Sequence, residues 1–215
     1  MNTPNPVVFV VDDDQHVRNA LGRLLRSNGY SVQIYESASA FIHEADLRLA
    51  PACLLLDLQL PDISGIELQR QLDGNVPIVF ISARDEFAPA IAAMKAGAMD
   101  YLLKPVHESV LFDAVERALE AGRRCFERRK LCEEIQRRVA TLTPREREVM
   151  ELVVAGRANK VIADELGAAE KTIKIHRARV MEKMGANSLP DLVHLDAHRD
   201  AHRAYRSAFG SALHN

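Results

Sequence analysis

At 215 residues with 47% hydrophobic content, the chain is long for one ordinary domain and suits two modest ones, each able to bury a core. No apolar run approaches the roughly 18–20 residues of a membrane span, and the MNTPNP start lacks the basic and apolar stretches of a signal peptide, which together point to a cytoplasmic protein without a membrane partner. The formal net charge of −2 hides an asymmetry, with 9 Lys+Arg against 17 Asp+Glu up to Gly122 and 19 against 13 from Arg123 onward, so an acidic half can gather a cation and a basic half can approach phosphates.

In chain order, short apolar runs alternate with helical patterns. Val7 to Val11, Val32 to Tyr35, Cys53 to Leu56, Ile78 to Ile81 and Tyr101 to Leu103 predict five strands. Near-continuous apolar runs suit strands covered on both faces, and the segments between them suit crossover helices. Those helices are Gln15 to Ser27, Ala38 to Ala45, Gly65 to Leu72, Phe87 to Ala96 and one starting near His107, with Gly29, Gly74 and Gly97 as stops. The pattern implies a parallel α/β domain over residues 1–122.

From Glu108 the helical spacing does not stop. Leu111, Val115, Leu119, Phe126, Leu131, Ile135 and Val139 carry it through a charge-rich stretch without proline, predicting an extended fifth helix and linker over residues 107–140. Gly122 interrupts that stretch, and a flexible linker is the competing reading. Cys53, Cys125 and Cys132 are odd in number and too far apart for CxxC-type ligation, which argues against a disulfide framework. Thr143 then caps a new helix with Pro144 at its first position, and Pro144 to Val154, Asn159 to Leu166 and Glu170 to Met184 form a helix-turn-helix pattern within residues 141–200. The tail, 201–215, repeats His and Arg and extends the last helix at most.

Ligands of a parallel α/β sheet bind at the carboxyl ends of its strands. Asp12, Asp13 and Asp14 follow the first strand, Asp57 ends the third, Ser82 ends the fourth, and Lys104 follows the fifth just before Pro105. Clustered carboxylates repel unless a cation lies between them, and hard oxygen ligands suit Mg²⁺ or Mn²⁺. Such an ion shields an incoming phosphoryl group from the carboxylate that attacks it. Asp57 is the candidate nucleophile, Lys104 can ion-pair with phosphoryl oxygens, and Ser82 can donate a hydrogen bond to them. Singly, each residue reads equally as a turn former or cap; their joint order over four strands is what carries weight.

The segments VVDDD, LLLDLQLPDISGIEL, ISARD and KAGAMDYLLKPV resemble the receiver domain of two-component response regulators over roughly residues 5–120. The resemblance implies a five-stranded, flavodoxin-like, doubly wound sheet, with Asp57 as phosphoacceptor. It implies Mg²⁺ held by Asp13, Asp57 and the backbone carbonyl of Gln59, with Asp12 acting through water. It also makes Ser82, Tyr101 and Lys104 a phosphoryl-sensing switch beside a cis Lys104-Pro105 bond, and leaves Asp14 only a capping role. Phosphorylation in that family remodels the face of the fourth helix and fifth strand for pairing of two copies.

In the basic half, Ile173, Val180 and Met184 fall on one side of their helix, with His176 and Arg177 at its borders. Lys171, Lys174, Ile175, Ala178 and Glu182 fall on the other, with Thr172 and Arg179 on a flank. That outer side can enter a major groove, offering charge to phosphates and apolar groups to thymine methyls. Lys160 and Thr172, near helix N-termini, suit phosphates; a solvated face with snorkelling lysines is the plain alternative. The segment from LTPRERE to PDLVHL resembles the DNA-binding domain of LuxR-type and FixJ-type regulators, which implies a four-helix, all-α output domain. Its third helix reads DNA, and its fourth, Ser188 to about Asp196, forms a dimer contact through Leu189, Leu192 and Val193.

These resemblances imply a transcriptional regulator rather than an enzyme, catalysing only its own phosphorylation and dephosphorylation. Its partners would be a sensor histidine kinase, promoter double-stranded DNA, a second copy on phosphorylation, and RNA polymerase. Two rivals share some of the features: a phosphorylation-independent DNA binder with a vestigial receiver, and an Asp-nucleophile phosphohydrolase, which the missing cap domain disfavours.

Overall fold

A computed structural model describes residues 4–83 and 87–198, and the chain divides into two units between Arg128 and Arg129. The expected tail, 201–215, lies outside the described residues. The first unit alternates β1 (Val7–Val11), α1 (Gln15–Ser27), β2 (Ser31–Tyr35), α2 (Ala38–Glu44), β3 (Ala52–Asp57), α3 (Gly65–Leu72), β4 (Ile78–Ser82), α4 (Phe87–Lys95) and β5 (Asp100–Leu103), followed by α5 (Glu108–Ala140).

All strand pairs are parallel and the order is β2-β1-β3-β4-β5. Because side chains alternate along a strand, one sheet face carries Phe9, Val11, Leu54, Leu56 and Phe80 against Phe41 of α2, Leu68 of α3 and Ala93 of α4. The other face carries Val8, Val10, Cys53, Leu55 and Ile81 against Leu25 of α1 and Leu111, Val115 and Leu119 of α5. Burial on both faces is what the unbroken apolar runs require. Strands β3 and β4 each extend one polar residue past their apolar run, since the ladder continues through Asp57 opposite Ile81 and Ser82 opposite Leu103.

Helix α5 continues without a break through Gly122. A Cβ at that position would lie 2.2 Å from the carbonyl oxygen of Ala52, so the glycine lets α5 lie against the start of β3 and is no sign of a flexible linker. Ile135 and Val139, on the stretch expected to serve as linker, are buried in the core of the second unit. Leu131, expected on the same apolar stripe, is exposed instead.

The second unit adds α6 (Pro144–Val154), α7 (Asn159–Leu166) and α8 (Glu170–Met184), and residues 189–198 are helical (α9). Helix α6 opens with a capping box, in which the Thr143 side chain accepts from Glu146 N–H while the Glu146 carboxylate accepts from Thr143 N–H. Ser188 Oγ accepts from Asp191 N–H and starts α9. Val149, Met150, Val153, Ile162, Ile173, Val180, Met184 and Leu192 fill the core. Among the described residues, no helix is long and apolar enough to cross a membrane.

Candidate functional site

The parallel register brings the carboxyl ends of β1, β3 and β5 together. Lys104 Nζ lies 2.6 Å from Asp12 Oδ2 and 2.6 Å from Asp57 Oδ2, so one ammonium bridges two buried carboxylates. Carboxylate oxygens of Asp12, Asp13 and Asp57 lie within 4.8 Å of one another; Asp13 is exposed, which leaves the group open to solvent on one side. Gln59 donates its N–H to Asp57 Oδ1 at 3.0 Å, and Ser82, at the end of β4, is buried. Tyr101 is half-buried against Phe80, with ring centroids 6.3 Å apart, and the Lys104-Pro105 bond is cis. Asp14 caps α1 by accepting from His16 and Val17.

The charges are mutually dependent. Burial pushes the Asp12 carboxyl above its usual value against the pull of Lys104, and the neighbouring Asp57 adds to the rise. Burial opposes the charge on Lys104, but its hydrogen bonds to Asp12 and Asp57 outweigh that and raise it. The donor set, three carboxylates and no sulfur or imidazole, is compatible with a hard divalent cation.

Three supporting residues escaped the sequence reading. Arg18, within the first turns of α1, donates from Nη1 to the carbonyl oxygens of Asp12 at 2.7 Å and Asp13 at 2.8 Å, pinning the acidic loop from behind. Asp62, in the loop after β3, accepts from Ser39 N–H at 2.7 Å; burial opposes its charge, but the hydrogen bonds from Ser39 prevail and hold it at about 2. Gly65 starts α3 where a Cβ would run into the Asp57 carbonyl oxygen, so only glycine lets α3 begin this close to the end of β3. A motif of carboxylates and a lysine gives no hint of Arg18; Asp62 and Gly65 both stand in the LLLDLQLPDISGIEL segment, where the sequence assigns neither a role.

In the second unit, the wheel drawn for α8 is the one observed. Ile173, Val180 and Met184 are buried and His176 and Arg177 are half-buried, while Lys171, Thr172, Lys174, Ile175, Ala178, Arg179 and Glu182 are exposed. Lys160 is exposed in the first turn of α7. Lys174 pairs with Glu170 on its own helix at 3.1 Å, an exposed contact of about 0.3–0.5 kcal/mol. Arg138 of α5 donates to the Met184 carbonyl at the end of α8 at 2.9 Å, and Lys183 joins Glu146 at 2.6 Å, so α8 is held by α5 and α6. That Lys183 hydrogen bond and the Thr143 N–H hold the Glu146 carboxyl down to about 2.

One expected contact is corrected. Leu192 is wholly buried within its own unit and cannot meet a second copy; Leu189 also packs partly on that core, which leaves Val193 as the exposed member of the three.

The chain matches the family described as response regulator receiver domain over residues 8–116 and the family described as bacterial regulatory proteins, luxR family, over residues 140–195. It is 41% identical to the transcriptional regulatory protein FixJ of Rhizobium meliloti strain 1021 over 87% of this chain and 93% of that protein. It is 38% identical to the response regulator protein TmoT of Ectopseudomonas mendocina over 90% of this chain and 89% of that protein. Its fold is similar to that of the response regulator StyR, with a TM-score of 0.66 and 42% identity over 90% of this chain and 99% of that one. An acidic pocket at the strand ends and an exposed helix in a luxR-type domain are thus found in a chain that belongs to the response regulators, the phosphorylation-dependent transcriptional regulators of two-component systems.

Proposed function

We propose that Asp57 is the phosphoacceptor and that Asp12, Asp13, Asp57 and the backbone carbonyl of Gln59 serve a Mg²⁺ or Mn²⁺ ion, Asp12 through water. The observation that carries this reading is Lys104, whose Nζ sits 2.6 Å from both Asp12 and Asp57, where a transferred phosphoryl group would meet it. A divalent ion, when bound, offsets negative charge between phosphoryl oxygens and carboxylates. An Asp57 carboxylate oxygen attacks phosphorus; a P–O bond forms and the P–N bond to the histidine of a sensor kinase breaks, returning the electron pair to the imidazole. Lys104 then exchanges a carboxylate partner for phosphoryl oxygens, and the Ser82 hydroxyl donates to the same group. With Tyr101 half-buried on the adjacent strand, Ser82, Tyr101, Lys104 and Pro105 form the sensing switch.

The output reading rests on α8. Lys171, Thr172, Lys174, Ile175, Ala178 and Arg179 enter the major groove of promoter DNA, and Lys160 holds a phosphate. Helices α7 and α8, unlike α6, have alanines at their capping positions, Ala158 and Ala169, which make no side-chain cap and so leave first-turn N–H groups for DNA phosphates. Pairing on phosphorylation is supported by Ile91 and Met94 of α4, Leu103 of β5 and Val110 of α5, all exposed apolar residues that a second copy could cover. Leu189, half-buried, and Val193, exposed, are the remaining candidates for output pairing, and the work is done in the cytoplasm beside RNA polymerase.

Incubation with acetyl phosphate and Mg²⁺ tests the proposal. The intact protein gains one phosphoryl group, Asp57→Asn gains none, and footprints on promoter DNA strengthen only in the wild type. Many-fold turnover of acetyl phosphate without a retained adduct would favour a phosphohydrolase. Equal promoter occupancy by Asp57→Asn would favour a vestigial receiver.

A further inference from the structure

Helix α9 carries a pair of histidines that neither the pocket nor the DNA-binding face uses. His194 and His198 are one turn apart, and their Nε2 atoms lie 3.2 Å from each other, with the rings at an interplanar angle of 87°. Positions four apart share a helix face, so the spacing alone makes the rings neighbours. The Nε2–Nε2 separation is the informative quantity. With metal–nitrogen bonds of about 2.0–2.1 Å, two nitrogens at that distance subtend about 100° at a shared ion, near the tetrahedral angle. His194 is exposed and His198 half-buried, which leaves the remaining coordination positions open to water. Ser188 caps the start of α9, Leu192 anchors it in the core, and the Cys132 thiol of α5 donates to the His198 carbonyl at 3.5 Å, so the helix is held on either side of the pair's first ring and at its second.

We propose that His194 and His198 form a two-imidazole site for a first-row transition-metal dication such as Zn²⁺, separate in place and in ligand chemistry from the carboxylate pocket. In the metal-free pair, one ring donates from its Nε2–H to the other Nε2. Binding requires both Nε2 lone pairs, so the donating ring carries its proton on Nδ1 instead; two neutral imidazoles bind with no net loss of protons. Imidazole favours Zn²⁺, Ni²⁺ and Cu²⁺, whereas oxygen-only sites favour Mg²⁺ and Mn²⁺, so Mg²⁺ in excess leaves the histidine site free. The same i, i+4 spacing continues to His202 in the sequence, outside the described residues.

The test is calorimetric titration of the untagged full-length protein with Zn²⁺ in saturating Mg²⁺, beside His194→Ala, His198→Ala, His194→Gln and Asp57→Asn. The wild type and Asp57→Asn bind one Zn²⁺ per chain with the same affinity. Each histidine variant loses more than the about 10–100-fold that follows removal of a supporting outer partner. Helix content by circular dichroism stays at the wild-type level in the variants, because the substituted side chains lie at the surface, and His194→Gln keeps a polar side chain while removing the ligand. Histidine variants that bind Zn²⁺ as tightly as the wild type would refute the site, as would a loss confined to Asp57→Asn.

Discussion

The pocket in the first unit and the exposed side of α8 in the second are built on opposite plans. In the pocket, Lys104 is shared by Asp12 and Asp57, Arg18 holds the backbone beneath two of the acids, and Gly65 sits against the Asp57 carbonyl. On α8 the buried stripe of Ile173, Val180 and Met184 fixes the helix, while the outward residues owe little to each other. The pocket is built by shared burial, whereas the outer side of α8 is carried by a firmly seated helix whose exposed side chains make few contacts with one another.

Substitutions can break or sharpen that contrast. The largest effect is expected at Gly65→Val, where a branched side chain would collide with the backbone at the end of β3; the cost is about 3 kcal/mol or more, read as a fall in denaturation midpoint with loss of the proposed phosphoryl uptake. Next, a double-mutant cycle on Asp12→Asn and Lys104→Ala should give a coupling of about 1–3 kcal/mol in unfolding free energy, because the two share a buried ion pair. Additive effects there would mean that the pocket is no more cooperative than the surface.

On the DNA side, Lys160→Ala and Lys174→Ala should each weaken promoter binding and reduce the log–log salt slope by about 1. Because they lie on different helices, their effects should add within about 0.5 kcal/mol. Unchanged affinity and slope in Lys174→Ala would remove α8 from the groove. The smallest effect concerns Glu146, whose carboxyl is lowered from 4.5 to about 2. Its contribution to stability is complete above about pH 4.5 and fades as pH falls toward 2, so the difference in melting temperature between wild type and Glu146→Gln should close over that window. A constant difference would show that the residue acts through packing alone.

Much of this was legible in the sequence because two periodicities are hard to mistake. Apolar runs mark the strands, unbroken in β1, β3 and β4, and the polar residues at the ends of β3 and β4 place Asp57 and Ser82 at the carboxyl edge of the sheet by position alone. A single wheel separated Ile173 from Lys174 correctly. What stayed hidden depends on tertiary approach. Arg18 acts on backbone carbonyls, which no residue pattern records, and Leu192 looks like a contact until the core closes over it. Intrinsic helix propensity makes Gly122 look like a break, whereas the nearness of Ala52 decides its role.

Helix α5 gives Ile135 and Val139 to the interior of the second unit although the luxR-type similarity starts only at residue 140. A recombinant fragment severed at Thr141 would therefore present two vacant sockets and expose their linings, whereas one begun at Arg129 would carry its own plug. Where the polypeptide can be cut is set by these two side chains, upstream of where the resemblance begins.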